Sequence, residues 1–418
     1  MNSENKSAIV LGGISNHIPL IKKLNDRGYH TILIDYLDNP PAKIYADEHI
    51  KVSTFDFKSI QEIAVERKAE LIINCCLEHL NKGICKIAEN IGLTAPYSYD
   101  IAISISDKEI MKSKMIHGQI PTTKFFCVSR PEDIDILNLE YPVFVKPAEG
   151  SGSNAVTHAF SKSEAVEAIS KAIEKYPKSK VIIEEEALGK EYNVYCFPKN
   201  GKANVLMITR RYTDNDSEDH VTKCIGTLGP AILPQDIIDR INEIADKIVS
   251  EFKLDNVPMF IQMMVNGDEM NVIEFAGRMA GGFSDRAILE TTGFDLYEAT
   301  INSFLGIPNN VDFHKPDSFI TVSGVYARDC IFDRVSGYET LLEEKVLVDI
   351  MITRQPGTKI SESSSNGSKV AFVIMKADSI DNLVDNILRV FESIDVIDIN
   401  GDSKIKRKLR ITKEMIEG

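Results

Sequence analysis

The sequence predicts an α/β protein in three parts: a parallel-sheet domain first, a middle α/β domain with a lid, and a terminal α+β region. Three observations predict it. Apolar strands alternate with amphipathic helical stretches through the first ninety or so residues. A strand-ending lysine, Lys146, is followed by a glycine- and serine-rich loop. A hairpin around Asn266-Gly267 then returns an acidic residue, Glu274, on an apolar strand.

Residues 8 to 11, AIVL, read as the first strand, Gly12-Gly13 as a turn, HIPLIKKLNDRGY as a helix and HTILIDY as the second strand. A third strand near residues 50 to 52, a helix in SIQEIAVERKA, the buried strand LIINCC and a helix in NKGICKIAENIG continue the alternation. Such alternation makes a parallel, Rossmann-like sheet with its ligand crevice at the strand ends. The GG turn and Asp35 lack the full GxGxxG of a dinucleotide site, since the stretch is GGISNH, so a tight turn without NAD is the expectation. Glu78 and His79 follow the fourth strand and read as loop residues that could face a substrate.

Beyond Ser104, SDKEIMKSKMIHGQIP predicts a lysine-rich helix capped by Ser106 and closed by Gly118 and Pro121. The strand YPVFVKP, the helix SKSEAVEAISKAIEKY and the strand KVIIEEE form a small lid. In DIIDRINEIADKIVSEF, Ile237, Ile238, Ile241, Ile244, Ala245, Ile248, Val249 and Phe252 make one apolar stripe, a core-packing helix. From about residue 320 short strands lead to the helix SIDNLVDNILRVFESI, and SESSSNGS is a loop. Domain boundaries are therefore expected at 1–104, 105–319 with the lid at about 122–190, and 320–418.

The 418 residues are 43% hydrophobic and 26% charged, as in an ordinary globular protein. A net charge of −14 excludes a general nucleic-acid surface and leaves any anionic ligand to local basic groups. No apolar run is long enough to span a bilayer, and the opening MNSENKSAIVLGG enters a strand rather than a signal peptide, so no membrane partner and a cytoplasmic location are expected. The seven cysteines lack CxxC or metal spacing and read as reduced core thiols. The basic run KIKRKLR reads as a solvated terminal segment.

The chemistry-bearing residues follow in order. Pro147 ends the strand after Lys146, and Gly150, Ser151, Gly152 and Ser153 let backbone N–H groups approach a polyphosphate. Lys108 offers a second cation. In IIEEEALGKEYNV, a short connection near Glu186 and Ala187 can present backbone groups to an adenine edge, and a carboxylate can take ribose hydroxyls. Glu274, isolated on an apolar strand and followed by Arg278, needs a cation or a metal. No Ser-His-Asp or Cys-His constellation is present, so no covalent nucleophile is expected.

The order SDK, VKPAEGSGS, EEEALGKEY and VIEFAGR resembles the ATP-grasp superfamily over about residues 5 to 400, in the branch of biotin carboxylase, carbamoyl phosphate synthase and L-amino-acid ligases. VLGG and YADEHI look like the same branch. The resemblance implies ATP and Mg2+ (or Mn2+) as cofactors. It implies that Lys108 and Lys146 bind phosphates, that the loop at 149–154 with Gly150, Ser151, Gly152 and Ser153 closes over them, that Glu184, Glu186 and Ala187 belong to the adenine hinge, and that Glu191 holds the ribose. Glu274 would bind the metal with Gln262, where many members carry an acid and carbamoyl phosphate synthase also uses glutamine. Ala276 stands where an asparagine is frequent, as in some amino-acid ligases, so one metal site would lean on water and phosphate oxygens. Arg278 would stabilise an acyl phosphate, and Arg278 and Arg286 could grip a substrate carboxylate.

The expected activity is an ATP-dependent carboxylate–amine ligase working through an acyl phosphate on an amino acid or small carboxylate, with ADP and phosphate released. A purine-biosynthesis ligase or carboxylase stays open, although no phosphate-recognition cluster is legible for it. A non-catalytic ATP-binding protein with a degraded metal site is the third reading. Partners would be a small carboxylate and an amine, and a homodimer through the N- or C-terminal domain would fit the family. MKAD around Lys376 lacks the context of a biotinylated lysine. Gln262 and Glu274 share a face only if a bulge or a three-residue loop offsets the hairpin, since a strict two-residue Asn-Gly turn would separate them.

Overall fold

The structure, a computed structural model, describes residues 6–148, 156–177, 179–214, 223–362 and 367–418. The chain divides into two compact units: Met1–Cys76, Leu206–Ile232 and Met279–Gly418 form the first, Leu77–Val205 and Leu233–Arg278 the second. Among the described residues no helix is long and apolar enough to cross a membrane.

The first unit opens with the expected parallel sheet, in the order Glu48–Ile50, His30–Ile34, Ser7–Leu11, Ala69–Ile73. Its two central strands are buried along nearly their whole length, as a sheet covered on both faces requires. Asp35 does not await a ribose: its carboxylate accepts from the backbone N–H of Gly13 at 2.8 Å and of Leu37 at 2.8 Å, so it pins the turn. A Cβ on Gly13 would lie 2.4 Å from Pro40, which explains the glycine. The strand expected over LIINCC stops at Ile73, leaving Asn74 to Cys76 beyond the sheet's end.

In the remainder of this unit, antiparallel strands run in the order Val205–Asp214, Lys223–Gly229, Phe319–Tyr326, Lys369–Ala377, Asp349–Ile352. The helix Ile380–Ser393 packs Leu383, Ile387, Val390 and Phe391 into their core. The strands Val205–Asp214 and Lys223–Gly229 bring Tyr212 and Ile225 to the same core.

The second unit carries, where the lid is expected, a four-stranded antiparallel sheet ordered Phe125–Val128, Val181–Glu185, Val143–Pro147, Thr157–Ala159. Val143, Val145, Val181 and Ile183 meet Ala165, Ile169 and Ala172 of the helix Lys162–Lys175. Strand alternation therefore turns Phe144 and Lys146 to the opposite face. The helix Lys108–His117 is capped by Asp107, whose carboxylate accepts from the N–H groups of Glu109 and Ile110, and not by Ser106, whose hydroxyl donates back to Ile103 O at 3.4 Å. The helix Gln235–Phe252 buries the predicted stripe apart from Ile238.

Gly189 joins the lid to the strand Lys190–Cys196. Its φ is +118°, and a Cβ there would sit 2.4 Å from Val265 O. Gly189→Ala should cost at least about 2 kcal/mol in urea unfolding, from strain plus the backbone clash. Gly357→Ala, at φ +85° with open space around it, should cost only about 1 kcal/mol. Equal costs at the two positions would show that the approach to Val265 is unimportant.

Candidate active site

Lys108, Lys112, Lys146, Glu184, Glu191, Gln262, Glu274, Arg278 and Glu78 all lie within the second unit. At its centre is a charge triad. Glu184, on the strand Val181–Glu185, takes Lys112 Nζ on one carboxylate oxygen and Lys146 Nζ on the other. The three side chains are 4%, 0% and 8% exposed, so the charges neutralise one another out of water. Lys112 also donates to Thr122 Oγ1 at 2.8 Å and Thr123 Oγ1 at 3.1 Å, and Thr123 donates to Glu184 at 2.7 Å. Burial works to raise the Glu184 carboxyl, but the two lysines overcome it and hold it at about 2. Burial pulls Lys112 down to about 8 against the attraction of Glu184.

Sequence reasoning missed Lys112. It follows Lys108 by one helical turn, and nothing local distinguishes a lysine whose counter-ion lies on a strand over seventy residues away. The side chain of Glu184 is committed to this triad, while the neighbouring connection holds its shape through backbone bonds: Glu185 N to Lys124 O at 3.0 Å and Glu186 N to Pro142 O at 3.2 Å. Ala187 is half-buried beside it.

The strands Lys190–Cys196, Met259–Asn266 and Glu269–Ala276 form the other half of the site. The hairpin turns through Gly267-Asp268, and the register slips between Gln262 and Met263, so that Gln262 pairs with Glu274 while Met263 pairs with Val272. Ile273 is the extra residue of a bulge, which places Gln262 and Glu274 side by side on one face. Gln262 Nε2 donates to Glu191. That bond leaves the amide oxygen of Gln262, with the Glu274 carboxylate, as hard oxygen donors suited to a divalent cation that keeps waters and phosphate oxygens. Among the described residues no group of three or more His, Cys, Asp or Glu could hold a metal.

Arg278 lies four residues beyond Glu274 and pairs with Glu78 at 3.2 Å. Glu78 opens the helix Glu78–Ile91 and is not a loop residue. A carboxylate is favoured there by the helix dipole. Burial pushes its carboxyl up, Arg278 opposes the rise, Glu274 adds to it and Lys108 opposes it, so these four groups share one electrostatic neighbourhood. Burial, with the Arg278 charge, also lowers the His79 imidazole. The site thus gathers Lys108, Glu78, Glu274 and Arg278, with Glu191 and Gln262 on the adjoining strands. Gly150, Ser151, Gly152 and Ser153 lie outside the described residues.

Arg286 belongs to the first unit, on the helix Ser284–Thr292, where it pairs with Glu290 at 2.8 Å and Asp349 at 3.1 Å. Also in that unit, Lys369 Nζ stands over the rings of Phe372 at 4.7 Å and Tyr326 at 5.5 Å, and its carbonyl accepts from Arg354 Nε at 3.1 Å. Burial lowers Lys369, and the charges of Arg211 and Arg354 lower it further. Lys369, Arg211 and Arg354 thus share one electrostatic neighbourhood, although they come from separate segments that no local motif connects.

Residues 139–285 match the family model described as the ATP-grasp domain. Over that stretch the chain resembles an ATP-grasp domain. The chain also resembles, at low identity, proteins of known activity. It is 24% identical over 314 residues to a formate-dependent phosphoribosylglycinamide formyltransferase of Sulfolobus acidocaldarius, covering 72% of this chain and 77% of that one. It is 23% identical to an L-arginine-specific L-amino acid ligase of Bacillus subtilis, over 67% of this chain and 68% of that one. An L-amino acid ligase structure from Bacillus licheniformis shares the fold at 18% identity and a TM-score of 0.79, covering 94% of this chain and 99% of that one.

Removing the acid from the triad strands two buried ammonium groups. Glu184→Gln should lower unfolding free energy by about 3–5 kcal/mol, and adding Lys112→Met should recover part of it. Because the folded-state carboxyl lies below its unfolded value, its contribution is complete above the ordinary glutamate range and is lost as pH falls towards about 2. Wild-type stability measured across that acid window should fall more steeply than that of Glu184→Gln.

Proposed function

We propose that the chain is an ATP-dependent carboxylate–amine ligase acting on an amino acid or another small carboxylate through an acyl phosphate. The observation that carries the reading is the bulged hairpin: by pairing Gln262 with Glu274, it sets two oxygen donors beside the Arg278–Glu78 pair. A carboxylate oxygen of the substrate takes the γ-phosphoryl group, ADP leaves, and the amine then displaces phosphate from the acyl carbon.

The protein's part is positioning and charge neutralisation. Glu274 and the Gln262 amide oxygen would hold the cation, which neutralises phosphate charge when bound. Lys108 and Lys146 would face phosphates, Lys146 while still sharing Glu184. The backbone at Glu186 and Ala187 would meet the adenine edge, and Glu191, oriented by Gln262, the ribose. Arg278 would take the carboxylate or the acyl phosphate through its fork of donors. Arg286, already engaged by Glu290 and Asp349, would reach substrate only by leaving them. A reducing, cytoplasmic setting suits seven cysteines that are all reduced, and a homodimer remains part of the proposal.

A second reading, a purine-type ligase whose amine carries a phosphate, is favoured by the meeting of Arg211, Arg354 and Lys369 in the first unit. Cations gathered against their mutual repulsion suit a dianionic group.

The test measures ADP and phosphate release with Mg2+ and ATP across amino acids and small carboxylates, each with ammonia, amino acids and phosphoribosyl amines as nucleophiles. Release that requires one acid and one amine is expected, and Glu274→Ala should slow it at least about a hundredfold. Release requiring a phosphoribosyl amine, and weakened by Lys369→Ala, would select the second reading. ATP binding without release for any pair would favour a non-catalytic nucleotide-binding protein, and full turnover by Glu274→Ala would refute the metal assignment.

A further inference from the structure

The end of the fourth parallel strand carries two adjacent cysteines outside the chemistry described above. Successive residues within a strand point to opposite faces, which would hold neighbouring thiols apart. Here the strand ends at Ile73, and Cys75 and Cys76 lie in a bend with their sulfurs 3.7 Å apart. Cys75 is 1% exposed and its Sγ–H can also donate to Asn16 O, 3.5 Å away, while Cys76 is half-buried. Tyr297 donates to the same Asn16 oxygen at 2.8 Å.

A buried acid stands in the same neighbourhood. Asp285 is 7% exposed, and its Oδ1 has no hydrogen-bond partner among the described residues. Burial pushes its carboxyl up to about 7. Burial likewise pushes the Cys75 thiol well up, with Cys76 and the Asp285 charge adding to the rise, and Tyr297 is raised by burial and by the same acid and thiols. The four groups thus respond to one another's charge. The other cysteines stand singly in the chain.

We propose that Cys75 and Cys76 are an oxidisable vicinal dithiol, a modification site that a small disulfide closes into a Cys75–Cys76 disulfide. The half-buried Cys76 sulfur, after losing its proton, attacks one sulfur of the reagent and expels the first thiolate, which takes up that proton. Cys75 loses its proton to solvent as its sulfur attacks the Cys76 sulfur, and the second thiolate leaves and takes a proton up from solvent. Two thiols and one disulfide become one protein disulfide and two small thiols, so protons and the two electrons balance. The sulfurs must close from 3.7 Å to about 2.0 Å, and because adjacent Cα atoms stand only about 3.8 Å apart, less than an ordinary disulfide spans, the ring is strained and readily reduced.

The experiment treats the folded, full-length protein with oxidised glutathione, denatures it in acid, alkylates remaining thiols and digests with trypsin. Residues 69–82 then form one peptide carrying Cys75 and Cys76 and no other cysteine. It should be recovered unalkylated and about 2 Da lighter than its reduced form, and dithiothreitol should restore both alkylation sites. Cys75→Ser should stop at glutathione attached to Cys76. Should that variant fail to fold, the wild-type mass still decides. Alkylation of both wild-type cysteines after oxidant, or glutathione retained on Cys76 without ring closure, would overturn the proposal. So would parallel oxidation of the buried Cys85 and Cys196, because the reaction would then belong to an unfolded chain.

Discussion

The second unit depends on one buried carboxylate. Glu184 joins the helix Lys108–His117, through Lys112, to the strand Val143–Pro147, through Lys146, and Thr123 ties the intervening segment to the same oxygen. Each charge would be costly to bury alone, and the arrangement holds because every one has an opposite partner at contact distance. The consequence reaches the site: Lys146 does not swing on a surface, since its ammonium is held at a fixed place on the sheet face opposite the lid's apolar core. The positive charge that introduces the glycine-rich loop is thereby oriented before any ligand arrives, which lowers the cost of organising it later.

Periodicity carried most of the architecture. The parallel strands, the amphipathic helix Gln235–Phe252 and the lid's strand–helix–strand order were legible because burial repeats at two or 3.6 residues and leaves a pattern in the chain. Features that depend on a single residue of offset were not. The bulge at Ile273 decides that Gln262 and Glu274 share a face, yet Ile273 is an ordinary apolar strand residue. Glu78 read as loop because Leu77 precedes its helix without a capping side chain. LIINCC read as one strand because an apolar run does not mark where hydrogen bonding stops.

The candidate site was legible where its parts form local motifs and illegible where they meet across long separations. Lys108, Glu274 and Arg278 stand in short recognisable stretches, and the structure gathers them with Glu78. Lys112 found its role through Glu184, and Lys369 through Arg211 and Arg354, partners that neither spacing nor propensity connects.

The three-stretch makeup of the first unit has a consequence for how the chain is made. Its core gathers Tyr212 and Ile225 with Val373, Phe391 and Ile416, so it cannot close until Ile416 has left the ribosome. The second unit has all of its residues by Arg278. A nascent chain must therefore carry a finished second unit beside the first unit's waiting apolar strands, and that interval is when it most needs a chaperone's protection.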